Sequence, residues 1–573
     1  MRAIRPALVL SLVSLCLGAC ASRSVVMEAP GEDRSAPWWN RAVFYEVFVR
    51  SFKDSSAGPL ANDGVGDLQG LIESLDYLND GDPRTASDLG VNALWLMPIN
   101  PSPSYHGYDV TDYDSVNPAY GTNDDFRRLV RACHARGVRV IIDLVLNHTS
   151  DRHPFFAESR TVGSARRDWY VWSPTDPGWK GESGNAVWHR DPSGWYFGLF
   201  NHDMPDLNFA DRSVTDEMSR VARFWLRDMG ADGFRLDAAR HLIEDGRVVS
   251  STPATLAWLK DFQGRLKAVD PAALSVGEVW GPTEESARYV PAAMDLTFNF
   301  ELARAVLDSV RDGRAAPAGA ALEKALRLYP PGQFATFLTN HDQERVMSAL
   351  GGDEGRARVA AALLFTLPGV PFVYYGEEIG MRGGKPDPDI RTPMQWTGGP
   401  NAGFCSASAT PWRPANVDAA HRNVQGQHAD ETSLLGHYRR LIGLRRSSPS
   451  LARGVCAMVR ASDPGVLAFV RVADASAMLV MVNVTGREIA GCTVSSAAGP
   501  LASLVMAPAA GTGGTGGQTP RAGPRPLAAR ERLRDARLAE VPAPDGSGAF
   551  PACVPLGVLA PRSAYIIELT PAK

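Results

Sequence analysis

Residues 124–146 read DDFRRLVRACHARGVRVIIDLVL, which is an amphipathic helical pattern followed directly by an apolar run. The apolar run is rich in β-branched residues and shows little alternation with polar ones. Strands of this kind are typical of parallel sheets in which both faces are covered by other elements. The segment therefore predicts one unit of a fold in which helices alternate with parallel strands.

Seven further apolar runs have the same character and are separated by loops and helical stretches. They are AVFYEVFV (42–49), VNALWLMPI (91–99), GFRLDA (233–238), LSVGEVW (274–280), MDLTFNF (294–300), FATFLTN (334–340) and VPFVYYG (370–376). Eight such units predict an α/β fold of the (β/α)8 TIM-barrel type, with the active site at the C-terminal ends of the strands.

The order of patterns along the chain predicts a domain organisation. The barrel is expected at residues 38–146 and 212–450, and residues 147–211 between them are too long for a loop and predict an inserted domain B. Short alternating runs at 451–573 predict a C-terminal antiparallel β-sandwich. Within it, a Gly/Pro/Ala-rich low-complexity insertion at about 496–547 is expected to be disordered.

The N-terminus has the pattern of an export signal. Two arginines precede an apolar run, too short to span a membrane, that ends in LGAC (17–20) and resembles the bacterial lipobox. We expect a lipoprotein signal peptide at 1–19, lipidation of Cys20 and a tether at 20–37. The protein would then be exported and anchored on the periplasmic or cell-surface side of a bacterial membrane. A plain secretory peptide that contains a cysteine is the alternative.

The composition limits the partners of the protein. A formal net charge of −4 over 573 residues gives no electrostatic reason to expect nucleic acid, and membrane contact is expected only through the lipid. We expect a monomer. Outside the signal and Cys20 five cysteines remain, an odd number, so at least one is unpaired. Cys133 is expected to be a buried thiol. Whether one disulfide forms among the other cysteines, and between which of them, is left open by the sequence.

Polar side chains gather where the predicted barrel strands end. They are Tyr108 and Asp109 after the second run, Asp143, Asn147 and His148 around the end of the third, Arg235 and Asp237 on the fourth, Glu278 on the fifth, and His341 and Asp342 after the seventh. Three acids from three strands, with an arginine and two histidines, are costly to bury unless they serve a function.

Glycoside hydrolysis with retention needs such a set of acids. One carboxylate attacks the anomeric carbon, and a protonated carboxyl about 5 Å away delivers its proton to the leaving oxygen. Arg235 lies two residues before Asp237 and therefore faces the same way, where its charge favours the ionised nucleophile. Glu278 must hold a proton, and we expect an apolar pocket beside Trp280 to raise its pKa.

Several strings in the chain resemble one family. DLVLNH (143–148), GFRLDAARH (233–241), GEVW (277–280) and FLTNHD (337–342) are similar, in order and in strand position, to the four diagnostic regions of the α-amylase family, glycoside hydrolase family 13. HGYDVTDY (106–113), GVPFVYYGEE (369–378) and RTPMQW (391–396) extend the resemblance, which covers about residues 40–485.

The resemblance implies roles for individual residues. It implies Asp237 as the nucleophile, Glu278 as the acid/base and Asp342 as the third acid that distorts and holds the sugar. A second group is implied to bind substrate: Tyr108, by stacking on the sugar ring, and Asp109, His148, Arg235, His341 and Arg391.

Three positions bear on the specificity. MPDLN (204–208) resembles the signature of the group intermediate between oligo-1,6-glucosidases and neopullulanases, which consists largely of α-amylases. Ala238 stands where α-1,6-specific relatives have Val, and Tyr105 stands where exo-acting ones have Asp. We therefore expect a retaining endo-hydrolase of α-1,4 bonds in starch and maltooligosaccharides. The alternatives are an exo-acting α-glucosidase, a transglycosylase of the trehalose-synthase kind and a non-catalytic glucan-binding protein.

The resemblance also implies calcium as a structural cofactor. Asn147, Asp206 and the carbonyl of His241 match a calcium site between barrel and inserted domain, and the alternative is a hydrogen bond across that junction.

A second calcium candidate is NDGVGD (62–67), with Asp63, the Val65 carbonyl and Asp67 as ligands. Pro59 and Ala61 occupy two positions that carry oxygen ligands in the loop it resembles, which weakens this candidate.

Overall fold

The structure is a computed structural model that describes residues 37–181, 184–473, 476–496, 526–545, 548–549 and 551–571. The predicted signal peptide, Cys20 and nearly all of the tether lie outside these residues. In the described part of the chain, no helix is both long enough and apolar enough to cross a membrane.

The (β/α)8 barrel predicted from the apolar runs is confirmed. The first eleven strands are β1 (Phe44–Val47), β2 (Ala93–Leu96), β3 (Arg139–Val145), β4 (Trp172–Ser173), β5 (Trp188–Asp191), β6 (Gly194–Phe197), β7 (Gly233–Asp237), β8 (Leu274–Gly277), β9 (Leu296–Thr297), β10 (Ala335–Thr336) and β11 (Val370–Tyr374). Eight of them form a parallel sheet in the order β10-β11-β1-β2-β3-β7-β8-β9. A parallel bridge between Phe298 and Ala335 brings its two edges together.

The helices cover the outside of the barrel and fill the connections. They are α1 (Val49–Phe52), α2 (Leu68–Glu73), α3 (Leu75–Leu78), α4 (Asn123–Ala135), α5 (Pro154–Ser159), α6 (Arg212–Arg223), α7 (Pro253–Val269), α8 (Thr283–Ser286), α9 (Phe300–Asp312), α10 (Ala316–Leu328), α11 (Val346–Ala349), α12 (Glu354–Thr366), α13 (Asp387–Ile390), α14 (Val424–His428), α15 (Leu434–Ser447) and α16 (Pro449–Arg453). α4 begins with a capping box between Thr122 and Asp125, which satisfies backbone donors at its first turn.

The region after β3 contains a small sheet of three antiparallel strands in the order β4, β6 and β5. The next helix, α6, begins at Arg212, directly after the predicted inserted domain (147–211). The C-terminal region adds β12 (Val455–Ala461), β13 (Val466–Ala473), β14 (Ser476–Asn483), β15 (Ile489–Ala490), β16 (Val494–Ser495), β17 (Leu527–Glu531), β18 (Ala536–Arg537), β19 (Val558–Leu559) and β20 (Ser563–Pro571). Seven of these form one antiparallel sheet, and β15 pairs with β19.

One expectation about the C-terminal half is wrong. Residues 527–531 are not disordered, because β17 pairs with β20 and buries alternate side chains, beginning with Leu527. Residues 497–525 of the same segment lie outside the described residues. The five cysteines are free thiols, so the disulfide that the sequence left open does not form; Cys133 is buried, as expected.

The register of the barrel strands positions the polar residues. Phe44, Ile141 and Val276 face the barrel interior and belong to its apolar core. Side chains two residues further along a strand point to the same face. This places Glu46, Asp143 and Glu278 directly above that core, at the C-terminal end of the barrel.

Candidate active site

Arg235 lies at the centre of the polar cluster. Its Nη1 is 2.5 Å from Asp143 Oδ1 and 2.6 Å from Asp237 Oδ1, and its Nη2 is 2.8 Å from Glu278 Oε2. The guanidinium is 1% exposed. The β3–β7 register places Asp143 beside Arg235, so the pairing of two adjacent strands brings the two side chains together. One buried cation therefore binds the predicted nucleophile, the predicted acid/base and a third carboxylate at once.

Asp143 fixes the position of Arg235. Its Oδ2 accepts a hydrogen bond from Trp95 Nε1 at 3.0 Å, and its other oxygen binds the guanidinium. Because Asp143 is fully buried among these partners, it is a positioning residue for Arg235 rather than a group exposed to substrate.

Glu278 is not in the apolar pocket that we expected. Besides Arg235, Trp280 Nε1 donates to its Oε1 at 2.7 Å and the backbone N–H of Ala238 donates to its Oε2 at 3.1 Å. Trp280 is 40% exposed and stacks on Phe300 with ring centroids 3.9 Å apart. The indole orients the carboxyl group by a hydrogen bond instead of removing water from it.

Ala238 has a left-handed backbone, with φ of 46°. A non-glycine residue rarely adopts this conformation, and such strain is concentrated at functional sites. Here it turns the chain directly after Asp237, and the N–H of Ala238 then points at Glu278. The backbone thus links the two predicted catalytic carboxyl groups.

The ring of His341 is fixed from both sides. Its Nδ1 lies 2.5 Å from Glu46 Oε1, and its Nε2 lies 2.7 Å from the hydroxyl of Tyr108. Tyr108 and His341 stack with ring centroids 5.5 Å apart. Burial raises the pKa of Glu46 and lowers that of His341, and both shifts favour a neutral pair. Sequence reasoning missed Glu46, although a charge within an apolar strand run was a signal for it.

Asp342 is the most open of the three predicted catalytic acids, with 31% of its side chain exposed. Arg391 Nη2 binds its Oδ1 at 2.6 Å, and Arg391 Nε donates to the carbonyl of His341 at 2.8 Å. Tyr105 lies beside this pair and stacks on Trp412 with centroids 5.5 Å apart. An aromatic wall therefore stands where an acidic residue would close the cleft.

His148 and Asp109 lie at the side of the cluster. Burial lowers the pKa of His148 to about 4, and its Nε2 has no hydrogen-bond partner among the described residues. A buried, neutral and unpaired imidazole nitrogen is suited to bind a ligand hydroxyl. Asp109 instead accepts hydrogen bonds from Ser102 and Ser104, so the structure uses it to hold its own loop.

The pKa of Asp237 predicts the acidic limb of the pH profile. Burial raises this pKa well above the ordinary value, Arg235 opposes the shift, and Glu278 and Asp143 add to it. The nucleophile must be ionised, so kcat/KM is expected to fall with decreasing pH through a midpoint above about 4, the free aspartate value. A kcat/KM profile from pH 3 to 8 measures this midpoint, which belongs to the coupled cluster. A midpoint at or below pH 4 would contradict the prediction.

The residues predicted to bind calcium at the domain junction fit a cation. Asn147 Oδ1 and Asp206 Oδ2 are both buried without a hydrogen-bond partner. The carboxyl of Glu244 lies close enough for its charge to raise the pKa of Asp206, after burial as the larger cause. Orphaned oxygens and two facing acids suit a hard divalent ion. Glu244 was missed from the sequence; it follows the short turn that contains His241.

The second calcium candidate fits poorly. Asp67 is the N-cap of α2, and its two oxygens accept hydrogen bonds from Gly70 and Ser55. Asp63 accepts from the N–H of Val65 at 2.8 Å. These three residues stabilise their own turn, and no buried oxygen of Asp63 or Asp67 lacks a partner.

A parallel eight-stranded barrel with paired carboxylates at the C-terminal strand ends defines a glycosidase-type barrel enzyme. Comparison with known proteins agrees with this class. Residues 46–454 match the family described as alpha amylase, catalytic domain. The chain belongs to this family, glycoside hydrolase family 13, and is a glycosidase of that family.

Individual relatives carry different names. Alpha-amylase 3 of Dictyoglomus thermophilum is 39% identical over 79% of this chain and 86% of its own length. Trehalose synthase/amylase TreS of Mycolicibacterium smegmatis is 35% identical over 77% of this chain and 82% of its own length. The crystal structure of an alpha-amylase from H. orenii has a TM-score of 0.76 and 38% identity, covering 92% of this chain and 99% of that chain.

Proposed function

We propose that the protein is a retaining endo-hydrolase of α-1,4-glucosidic bonds in starch and maltooligosaccharides. The observation that carries the proposal is the single guanidinium, Arg235, that holds Asp237 and Glu278 together at the mouth of the barrel. Two carboxyl groups bound to one guanidinium lie close together, as the retaining mechanism requires. The relation to alpha-amylase 3 supports the choice of substrate.

The proposed reaction has two displacement steps. Asp237 attacks the anomeric carbon while the glycosidic C–O bond breaks, and Glu278 transfers its proton to the leaving oxygen. Arg235, Trp280 and the Ala238 N–H then stabilise the carboxylate of Glu278 by the hydrogen bonds described above. In the second step this carboxylate takes a proton from water, which attacks the anomeric carbon and releases Asp237.

Substrate binding is assigned to the side chains around these acids. His148 offers its unpaired Nε2 to a sugar hydroxyl, and the stacked pair of Tyr108 and His341 forms the floor of the site. Asp342 and Arg391 form the opposite side, where hydrogen bonds that strengthen in the transition state lower the barrier.

Endo action is supported by the aromatic wall at Tyr105 and Trp412, because no acid in this wall caps the end of a chain. Product analysis tests it, with soluble starch and maltotriose as substrates and Asp237→Asn as the blank. A rapid fall in viscosity with a spread of maltooligosaccharides is the expected result. Glucose released from the start, with viscosity slow to fall, would identify an exo-acting α-glucosidase instead.

A transglycosylase is the second candidate, favoured by the 35% identity to trehalose synthase/amylase TreS. Such an enzyme transfers the glucosyl group to a sugar hydroxyl before water reaches the glycosyl-enzyme. Incubation with maltose separates the two candidates. Glucose as the main product supports hydrolysis, and trehalose in excess over glucose would support the isomerase.

We infer that Asn147, Asp206, the His241 carbonyl and Glu244 hold a structural calcium ion. Binding only to the folded state stabilises by about 2.7 kcal/mol at a free ion concentration of 100 Kd. EGTA is therefore expected to lower Tm by several degrees, and calcium to restore it. Asp206→Asn should abolish the response, and Asp63→Asn in the second loop should retain it. Equal melting curves with and without EGTA would contradict the proposal.

We also propose that the protein is exported and anchored through a lipid on Cys20. Cys20→Ser is expected to move the enzyme from the membrane fraction to the soluble fraction of the producing bacterium. Metabolic labelling with palmitate should mark the native chain and not the variant. Unlabelled, soluble native protein would favour a plain secretory peptide.

A further inference from the structure

Two arginines are buried where the barrel meets the C-terminal domain. Arg445 on α15 and Arg471 on β13 are 2% and 1% exposed, respectively. Arg235, equally buried, is neutralised by three carboxylates. By contrast, neither Arg445 nor Arg471 forms an ion pair with a carboxylate in the described part of the chain. The acidic group that acts on Arg471 is the thiol of Cys456, whose pKa burial raises to about 12.

Among the residues that the structure describes, these arginines donate their hydrogen bonds to backbone carbonyl oxygens. Arg445 donates three hydrogen bonds to carbonyls within residues 365–369. Arg471 donates to the carbonyls of Thr366 and Gly454 at 2.8 and 3.1 Å. Carbonyl dipoles replace part of the lost hydration, but they supply no negative charge, and an unpaired buried cation is costly.

A cavity of about 160 Å³ adjoins Arg471, and Arg445 binds the carbonyl of Gly369 in its wall. Arg471 lines it, together with Gly454 and Gly369, whose carbonyl oxygens accept from Arg471 and Arg445 respectively. Much of the remaining wall is apolar or aromatic and consists of Ala325, Tyr329, Pro330, Pro331, Phe334 and Pro368. Because several of these residues precede β10 and β11, the cavity lies at the N-terminal end of the barrel, opposite the active site.

The charge distribution favours an anion at this position. Burial lowers the pKa of Arg471 to about 10, and the pKa of Arg445 falls as well, by burial and then by repulsion from Arg471. Both shifts agree with the lack of a carboxylate partner for either arginine among the described residues. A negative group within the cavity would supply it.

We propose that this cavity binds a small organic carboxylate, with the carboxylate paired to Arg471 and the hydrocarbon part against the proline and aromatic wall. Arg471 Nε and Nη1 already donate to backbone carbonyls, so Nη2 is the donor for the carboxylate, in a charge-assisted hydrogen bond that is stronger than a neutral one. A protein cavity of about 150 Å³ can bind benzene, which has six heavy atoms, so this cavity has room for a ligand of about that size. Propionate has this size.

Thermal unfolding of the full-length protein tests the proposal. Propionate is titrated at constant ionic strength set with sodium chloride, and propionamide serves as the neutral ligand of the same shape. The native protein is expected to show a saturable rise in Tm of about 1–3 °C with propionate. Propionamide should give no rise. A native protein that does not respond to propionate, or responds equally to propionamide, would overturn the proposal.

Two variants locate the site, with one control. Arg471→Met removes the cation, and Ala325→Leu fills the cavity while it leaves both arginines in place. Either change should weaken propionate binding, measured by calorimetry, by at least 10-fold. Arg460→Met removes an exposed arginine from the neighbouring strand β12 and should leave binding unchanged. If Arg471→Met does not fold, Ala325→Leu decides the test, and unchanged binding in it would overturn the proposal.

Discussion

Asp237→Asn is expected to lower kcat/KM on soluble starch by about 10⁴–10⁶-fold, the range seen when a catalytic nucleophile is removed. The amide keeps the shape of the carboxyl group and its contact with Arg235, but it cannot attack the anomeric carbon. The fold should survive, because Asp237 already shares its surroundings with the carboxylates of Asp143 and Glu278. Initial rates of reducing-end release measure the loss, and the melting curve confirms the fold.

Azide rescue distinguishes the roles of the two acids. With α-glucosyl fluoride as donor, Asp237→Gly leaves space for azide on the face of the missing nucleophile and should yield the β-glucosyl azide. Glu278→Ala still forms the glycosyl-enzyme, so azide should then give the α-glucosyl azide. The roles would be wrong if these configurations were exchanged, or if Asp237→Asn retained starch hydrolysis.

Arg235→Met is expected to reduce both stability and activity. It leaves three buried carboxylates without their shared cation, and removal of one partner from a buried ion pair typically costs about 3–5 kcal/mol. The activity should fall by at least about 10³-fold, since both catalytic carboxyl groups lose their position. Thermal unfolding and starch hydrolysis measure the two effects.

The pH dependence of unfolding separates a charge effect from a packing effect. Burial raises the pKa of Asp143 to about 6 and also raises that of Asp237, and Arg235 opposes both shifts. Without Arg235 these two groups bind protons more readily in the folded state, so lowering the pH from 7 to 5 should raise the Tm of Arg235→Met relative to native protein. Arg235→Lys keeps one charge but cannot reach three partners, and it should recover stability more than activity. A Tm for Arg235→Met that matches the native value would contradict the role of Arg235.

The sequence predicted the barrel because its strands are apolar on both faces. All eight runs contain a barrel strand, but the runs are longer than the strands. The run at 294–300 yields only the two residues of β9, because Asn299 caps α9 and Phe300 begins it. Side-chain composition identifies a buried segment, whereas the point at which a strand becomes a helix depends on capping hydrogen bonds.

The sequence predicted those site residues that are charged and lie at the end of a barrel strand. Asp237 and Arg235 alternate on one strand, and their motif marks them. Glu46 was overlooked because its seven neighbours within 42–49 are apolar or aromatic, and only the tertiary contact with His341 shows its position. Glu244 lies in a loop, and it meets Asp206 only after the inserted region has folded against the barrel.

Composition misled the interpretation of residues 526–545. Their high alanine and arginine content resembles a disordered segment, but Leu527 and Ala529 alternate with exposed residues and β20 supplies the hydrogen bonds. A weak pattern can form a strand when a neighbouring strand completes the ladder, and the sequence of the segment alone does not contain that information.

The left-handed backbone of Ala238 limits how this enzyme can be re-engineered. The position follows the nucleophile and is an obvious target for changing linkage preference, for example by substitution with Val. The left-handed conformation costs roughly 1–2 kcal/mol for ordinary residues and more for a β-branched one, so the relatives that have Val at this position must offset that cost elsewhere in their structures. Variants of this residue with a new linkage preference would therefore also fold in lower yield. A laboratory-evolution programme at this residue should begin from a thermostabilised parent, so that variants with altered products survive the screen.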